Sequence, residues 1–324
     1  GDIWTFAPIW SPDSKMLVFG DKKQRLRYVN IDTGKIVDAD RSTNNDINTY
    51  TWSPDSKWIA YTKNADNTLS TIWLHSVAEG KNYQLTSGLT DDDFPVFDPK
   101  GRYLYFLSNR DINLTFSGLE FNYITTNPTR VYVGLLASDG PALLLPTSDE
   151  EKLSSEKPEK GEKADKSTEE NKDKKKSEKT DIKVDIAGFE SRVRAIPGSA
   201  SNYRGLTTND KGVFYLTGPN LKFYNIESKK EETILEGIVN YDISADGKKV
   251  IFRRGRDYGI VPAQAGQKPT DGLLGLDKLE MKIEPKAEWQ QMYLDAWRVW
   301  RDWFYDPNMH GVDWNKMRDR YQVM

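Results

Sequence analysis

Histidine is scarce in this sequence, and that limits the chemistry it can do. A serine nucleophile needs a base to take its proton and a third group to orient the base. The chain offers two histidines, His75 and His310, and no cysteine. His75 closes an apolar β-type run, Thr71-Ile72-Trp73-Leu74-His75, and reads as a surface or strand-edge histidine. His310 lies in Asn308-Met309-His310-Gly311, a connection where a turn residue packing on nearby tryptophans is expected. No Gly-x-Ser-x-Gly elbow occurs, which argues against a complete α/β-hydrolase. Asp91-Asp92-Asp93 invites a calcium reading, yet three consecutive carboxylates cannot all face one ion and the spacing is not that of an EF-hand. A solvated loop before Phe94-Pro95 is the expectation there. Asn113-Leu114-Thr115 is a glycosylation sequon by pattern. No catalytic, cofactor-binding or metal-ligating residue is assigned.

The elements around these residues repeat. Trp10-Ser11-Pro12-Asp13-Ser14-Lys15 returns as Trp52-Ser53-Pro54-Asp55-Ser56-Lys57, each followed by an apolar run. Pro presets φ for a turn, and Ser and Asp can hydrogen-bond the turn's own backbone, so each unit reads as a hairpin entered by a large aromatic anchor. Looser copies begin at Phe97, Leu206 and Ile243. The anchors Trp10, Trp52 and Phe97 stand about 42 and 45 residues apart. Periods near 40–45 with several strands each mark propeller blades. The expected fold is therefore an all-β propeller, partial, with about five four-stranded blades. Arg253-Arg254-Gly255-Arg256 follows a strand of the fifth blade. Alternation sends Arg253 and Arg254 to opposite faces, so at most one could anchor a peptide carboxylate in a central channel; exposed rim arginines are the simpler reading.

Bulk properties exclude several classes. Of 324 residues, 46 are Lys or Arg and 49 Asp or Glu, for a net charge of −3, which gives no electrostatic case for nucleic acid. The absence of cysteine removes disulfides, zinc fingers and thiol catalysis without fixing a compartment. No apolar run approaches the length of a membrane span. The chain opens at Gly1, without an initiator Met or signal-like segment, and is read as a fragment.

The third blade carries two interruptions. Residues 111–129 are rich in aromatics (Phe116, Phe121, Tyr123) and are expected to be ordered and packed against something. Residues 149–181 are nearly all Lys, Glu, Asp and Ser; they cannot bury enough apolar surface to offset ordering entropy and read as a solvated, disordered loop, with a docking tail as the alternative. Arg192–Ile196 would then complete the blade. After the fifth blade, Leu279–Ile283 reads as a closing strand. Pro285 opens a helix whose Trp289, Met292, Tyr293, Ala296, Trp297, Trp300 and Phe304 share one face, Pro307 ends it, and Asp313 caps a second helix holding Trp314, Met317 and Tyr321. The expected domains are a partial propeller at 1–284 and the start of a helical domain at 285–324.

The blade motifs resemble TolB-like propeller repeats in general. Ala287-Glu288-Trp289-Gln290-Gln291-Met292-Tyr293, Asp295-Ala296-Trp297-Arg298 and the run from Arg301 through Asp306-Pro307-Asn308-Met309-His310-Gly311 to Trp314 resemble something narrower. They are similar to the junction in tricorn proteases where a seven-bladed propeller hands over to the helical start of the catalytic core. Glu120-Phe121-Asn122-Tyr123 and Gly188-Phe189-Glu190-Ser191-Arg192-Val193 resemble the same family. The resemblance implies part of a large serine peptidase that degrades oligopeptides, with propellers gating a buried site, a PDZ-like domain in the core, a homo-oligomer that is hexameric in the family, and a cytoplasmic setting. The family's catalytic histidine and serine match no position here, so the fragment alone is expected to be inactive and to need no cofactor, nucleic acid or membrane. Two other classes remain open: a TolB-like module binding a protein partner, and the propeller of a prolyl-oligopeptidase-type enzyme.

Overall fold

The computed structural model describes residues 3–111, 114–126, 128–141, 143–144 and 181–322. The expectation of a disordered charged insert at 149–181 therefore lies, but for Asp181, outside the described residues.

Five antiparallel sheets follow one another along the chain. The first contains β1 (Ile9–Trp10), β2 (Met16–Gly20), β3 (Arg25–Asn30) and β4 (Ile36–Arg41), and the second β5 (Tyr50–Trp52), β6 (Trp58–Asn64), β7 (Ser70–Ser76) and β8 (Lys81–Gln84). The third starts with β9 (Asp92–Phe97) and β10 (Tyr103–Ser108). A separate hairpin of β11 (Leu114–Ser117) and β12 (Asn122–Thr125) intervenes before β13 (Arg130–Leu135) and β14 (Val193–Ala195) complete it. The fourth holds β15 (Tyr203–Asn209), β16 (Gly212–Thr217), β17 (Asn220–Asn225) and β18 (Lys230–Leu235). The fifth holds β19 (Asn240–Ile243), β20 (Lys249–Arg254) and β21 (Asp257–Pro262). Two helices follow, α1 (Pro285–Trp303) and α2 (Trp314–Tyr321). This is the partial propeller with a short helical segment that the repeats predict.

The repeated letters encode one hydrogen-bonded device. In the second copy, Ser53 Oγ donates to Asp55 Oδ1 (2.5 Å) and accepts from Trp58 N (2.9 Å), while Lys57 N donates to Asp55 Oδ1 (3.1 Å). The first copy repeats this through Ser11 and Asp13, and the fifth through Ser244 and Asp246. Each copy passes through a residue at positive φ: Ser14 (60°), Ser56 (63°) and Gly247 (68°).

Four apolar clusters fill the four spaces between consecutive sheets. Val18, Leu26, Ile47, Trp52, Ile59 and Tyr61 fill the first, and Phe214, Leu221, Ile234, Val250, Phe252 and Val261 the last. A lone twisted sheet could not bury these faces; its neighbours do. Trp52, 5% exposed, wedges into the first space and donates its indole N–H to Ile9 O. Trp10, the equivalent anchor, is 54% exposed, because among the described residues no sheet precedes it.

One expectation of the fold is corrected. Leu279–Ile283 is not a strand: it runs exposed, and the fifth sheet has three strands. The chain touches β21 through a single bridge, Gly259↔Leu273, and then leaves in tight turns (Leu276 N to Leu274 O, Leu279 N to Leu276 O). Alternating apolar residues imitated a strand that finds no partner. Among the described residues of the aromatic insert, the hairpin β11–β12 forms, and its rings pack on one another. Phe116 meets Phe121 and Tyr123 edge-on at 6.4 and 5.6 Å, and all three stay largely exposed.

The helices bond to each other through their tryptophans. Pro285 sits in the first turn of α1, and the Asp313 carboxylate caps α2 by accepting Lys316 N at 2.9 Å. Lys22 places its ammonium 3.8 Å from the centre of the Trp303 ring, so α1 lies against the first sheet.

Candidate functional site

The first strands of successive sheets lie against one another: β5 meets β1 and β9, and β15 meets β9 and β19. These strands also end their sheets, so they form the inner line around which the sheets are arranged. A molecule reaching the middle would meet them first.

The sequence candidates are placed as follows. His75 is not at a surface: it is 2% exposed, between the first two sheets. Its Nδ1 shares a hydrogen bond of 2.7 Å with Asn82 Oδ1, and Asn82 in turn donates to Ala39 O. An amide oxygen accepts only, so Nδ1 carries a proton. Burial, more than any other influence, pushes its pKa down, and Nε2 is buried without a partner. This histidine fills a core position. The alternating pattern of its strand could not show this, because β7 is covered on both faces.

His310 packs on Phe304 and Tyr305, at 5.5 and 5.2 Å between ring centres, rather than on tryptophans. Its Nε2 faces the Tyr305 hydroxyl, and its Nδ1 lies 3.4 Å from Asp306 Oδ2, which also accepts the His310 amide. A carboxylate thus orients the ring, but a phenol occupies the place a serine nucleophile would take.

Asp91, Asp92 and Asp93 are not a solvated loop. Asp92 and Asp93 open β9, and each of the three carboxylates has its own partners. Asp92 is fully buried against the Arg110 guanidinium (3.1 Å). Asp91 accepts Ser70 N and Asn109 Nδ2. Asp93 accepts the Thr62 hydroxyl (2.8 Å), and burial pushes its pKa up. Among the described residues no group of three His, Cys, Asp or Glu could hold a metal ion.

Arg253 donates to Gly255 O and Arg254 lies 3.9 Å from Asp257, so both serve their own hairpin, with Arg253 paired opposite Asn240 of β19. In the sequon, Asn113 lies outside the described residues, while Leu114 and Thr115 belong to β11. A cleft of about 660 Å³ opens between the fourth and fifth sheets, where the turns around Asp210 and Asp246 stand over Phe223 and Ile234. Sequence reasoning missed one inner-line residue, Phe94, whose φ is +55°. The signal was Phe94-Pro95 inside what proves to be an inner strand.

Comparison with known proteins bears on this arrangement. Residues 3–264 match the family model of the tricorn protease second beta propeller domain, and residues 285–323 that of the tricorn protease C1 domain. The chain is 25% identical over 336 residues to Tricorn protease homolog 1 of Streptomyces coelicolor, covering 96% of this chain and 30% of that one. It is 25% identical over 333 residues to a putative tricorn-like protease C-terminal subunit of Sulfurisphaera tokodaii, covering 97% and 35%. The crystal structure of the tricorn protease superposes with a TM-score of 0.76 over 98% of this chain and 31% of that one, at 19% identity. The chain thus spans about a third of the length of the curated relatives it matches.

Proposed function

The chain belongs to the tricorn protease family, and from that premise we propose that its sheets admit substrate to a serine peptidase that degrades oligopeptides. The observation that carries this reading is the inner line of β5, β9, β15 and β19, a row of strands that each end a sheet and lie one against the next. A passage bounded by such strands accepts an extended chain and refuses a folded domain, so selection is by size before any chemistry. The helices α1 and α2 begin the part of the molecule that such a passage would serve.

In this reading the 324 residues carry no complete catalytic set. His75 is sealed in a core, and His310 faces a phenol. The nucleophile and its base belong to other parts of the longer family polypeptide. Homo-oligomeric assembly, hexameric in the family, and a cytoplasmic setting are part of the same proposal.

The test is to titrate the purified chain into a fluorescein-labelled, unstructured peptide of about ten residues and into a small folded protein, reading anisotropy, with a fluorogenic peptide assayed alongside. Binding of the peptide alone, without cleavage, is the expected result. Hydrolysis that tracks the protein through purification, or equal binding of the folded protein, would overturn the proposal.

A further inference from the structure

Phe94 stands where a glycine stands in the next sheet. In the third sheet the pairing of β9 slips by one residue between Tyr105↔Val96 and Leu107↔Asp93. In the fourth, β15 slips in the same way between Phe214↔Thr207 and Leu216↔Arg204. Aligning the two registers sets Phe94 on Gly205, and both have positive φ, +55° and +63°. Glycine adopts that conformation freely, whereas a bulky side chain is strained in it. Pro95 makes the position still less natural, because the residue before a proline is driven towards extended backbone.

Phe94 is 45% exposed, and among the described residues no other ring packs on it. The conformation is held from beneath: Asp93 Oδ1 accepts Phe94 N at 2.6 Å and is itself held by the Thr62 hydroxyl of the neighbouring sheet. An apolar ring kept exposed on a strained, clamped bulge of the innermost strand suits contact with something outside the chain.

We infer that Phe94 is a binding residue for an extended peptide at the inner line, its ring packing on an apolar or aromatic side chain of the passing segment. The inference rests on the substrate-admitting reading and gives that passage a side-chain preference. The residue before it, Asp93, and the equivalent position in the fourth sheet, Arg204, are polar.

The test uses the whole 324-residue chain and two labelled ten-residue peptides, one with leucine and phenylalanine at its centre and one with serines there. Phe94→Gly should weaken binding of the apolar peptide about five- to tenfold, the worth of one aromatic contact. It should leave the serine peptide unaffected, and its thermal midpoint should equal or exceed that of the parent. Phe121→Ser, which removes a still more exposed ring from the hairpin, 80% against 45%, should bind both peptides as the parent does. Unchanged binding of the apolar peptide by Phe94→Gly would overturn the role of Phe94 and leave the passage standing. A lowered midpoint would show that the ring serves the fold and would overturn it also. Failure of the parent chain to bind either peptide would overturn the passage reading and this inference with it.

Discussion

Trp297 and Trp314 each donate the indole N–H to the other's backbone carbonyl, at 2.8 and 3.1 Å, tying α1 to α2 by a reciprocal pair. Trp297 is the one buried residue of α1, and the Arg301 and Arg318 guanidiniums lie over its ring, each 5.1 Å from the centre. Two short helices with little shared core depend on such directed contacts.

Replacing either indole by phenylalanine keeps an aromatic ring and removes one donor. Each single change should cost about 1 kcal/mol, the usual net worth of a hydrogen bond. The double change should depart from additivity by about 0.5 kcal/mol or more, since the partners are in contact. Tryptophan-free reporters are needed, so the readout is thermal unfolding followed by circular dichroism at the helical signal. Strict additivity would show the two bonds to be independent.

The serine of the turn device should matter in proportion to its burial. Ser53 is inaccessible and Asp55 nearly so, whereas Ser244 and Asp246 are exposed. Ser53→Ala leaves the Trp58 amide without its acceptor and removes one of the donors to Asp55, in a site closed to water. We expect a loss of about 1–3 kcal/mol there and under about 1 kcal/mol for Ser244→Ala. Urea midpoints decide this, and equal losses would refute the dependence on burial.

The blades were legible because the turn device is local: Ser, Pro and Asp at fixed spacing hydrogen-bond within six residues, and the letters carry the geometry with them. The helix caps, Pro285 and Asp313, were legible for the same reason. What the sequence hid depends on partners far along the chain. Leu279–Ile283 alternates like a strand, but the chain has already left the edge of β21 after the bridge at Gly259. Asp91-Asp92-Asp93 looks solvated until Arg110, eighteen residues past Asp92, is seen to neutralise the middle carboxylate. His75 looks like a strand-end residue until Tyr28 and Asn82 close over it. Phe94 carries no local mark beyond its proline neighbour, because a bulge is defined by the strand opposite.

Acid should weaken the contact between the first two sheets through His75. Burial lowers its pKa in the folded state below the ordinary value near 6.5, against smaller raising effects from Asn82 and Asp40. The folded state therefore binds fewer protons than the unfolded state below about pH 6.5. Its contribution to stability is full above that value and declines as pH falls towards the folded pKa. The carboxylates of the chain also respond to acid, so the measurement is a difference. The stability lost between pH 7 and pH 5 should be smaller in His75→Gln than in the parent. An equal loss in the two proteins would show that His75 is not the group that senses acid.

Gly134 tests how the return segment after the charged insert is held. This residue is in β13, and a Cβ built on it would lie 2.3 Å from Cζ of Phe189, a ring that is itself buried beneath the third sheet. Phe189 belongs to the short turn that feeds β14, and Ile182, Val184 and Ile186 pack beside it on the same cluster. A methyl group at 134 must therefore push the ring out of its place or move the strand. Overpacking of this kind costs about 1–3 kcal/mol. Gly218 offers the control: its φ of +57° makes alanine strained, yet nothing lies within 4 Å of the new methyl. Gly134→Ala should accordingly loosen the 182–196 segment, exposing it to limited proteolysis, while Gly218→Ala lowers stability by about 1 kcal/mol without any new cleavage there. Protection of 182–196 in Gly134→Ala equal to that in the parent would mean that Phe189 does not pin this segment to the third sheet.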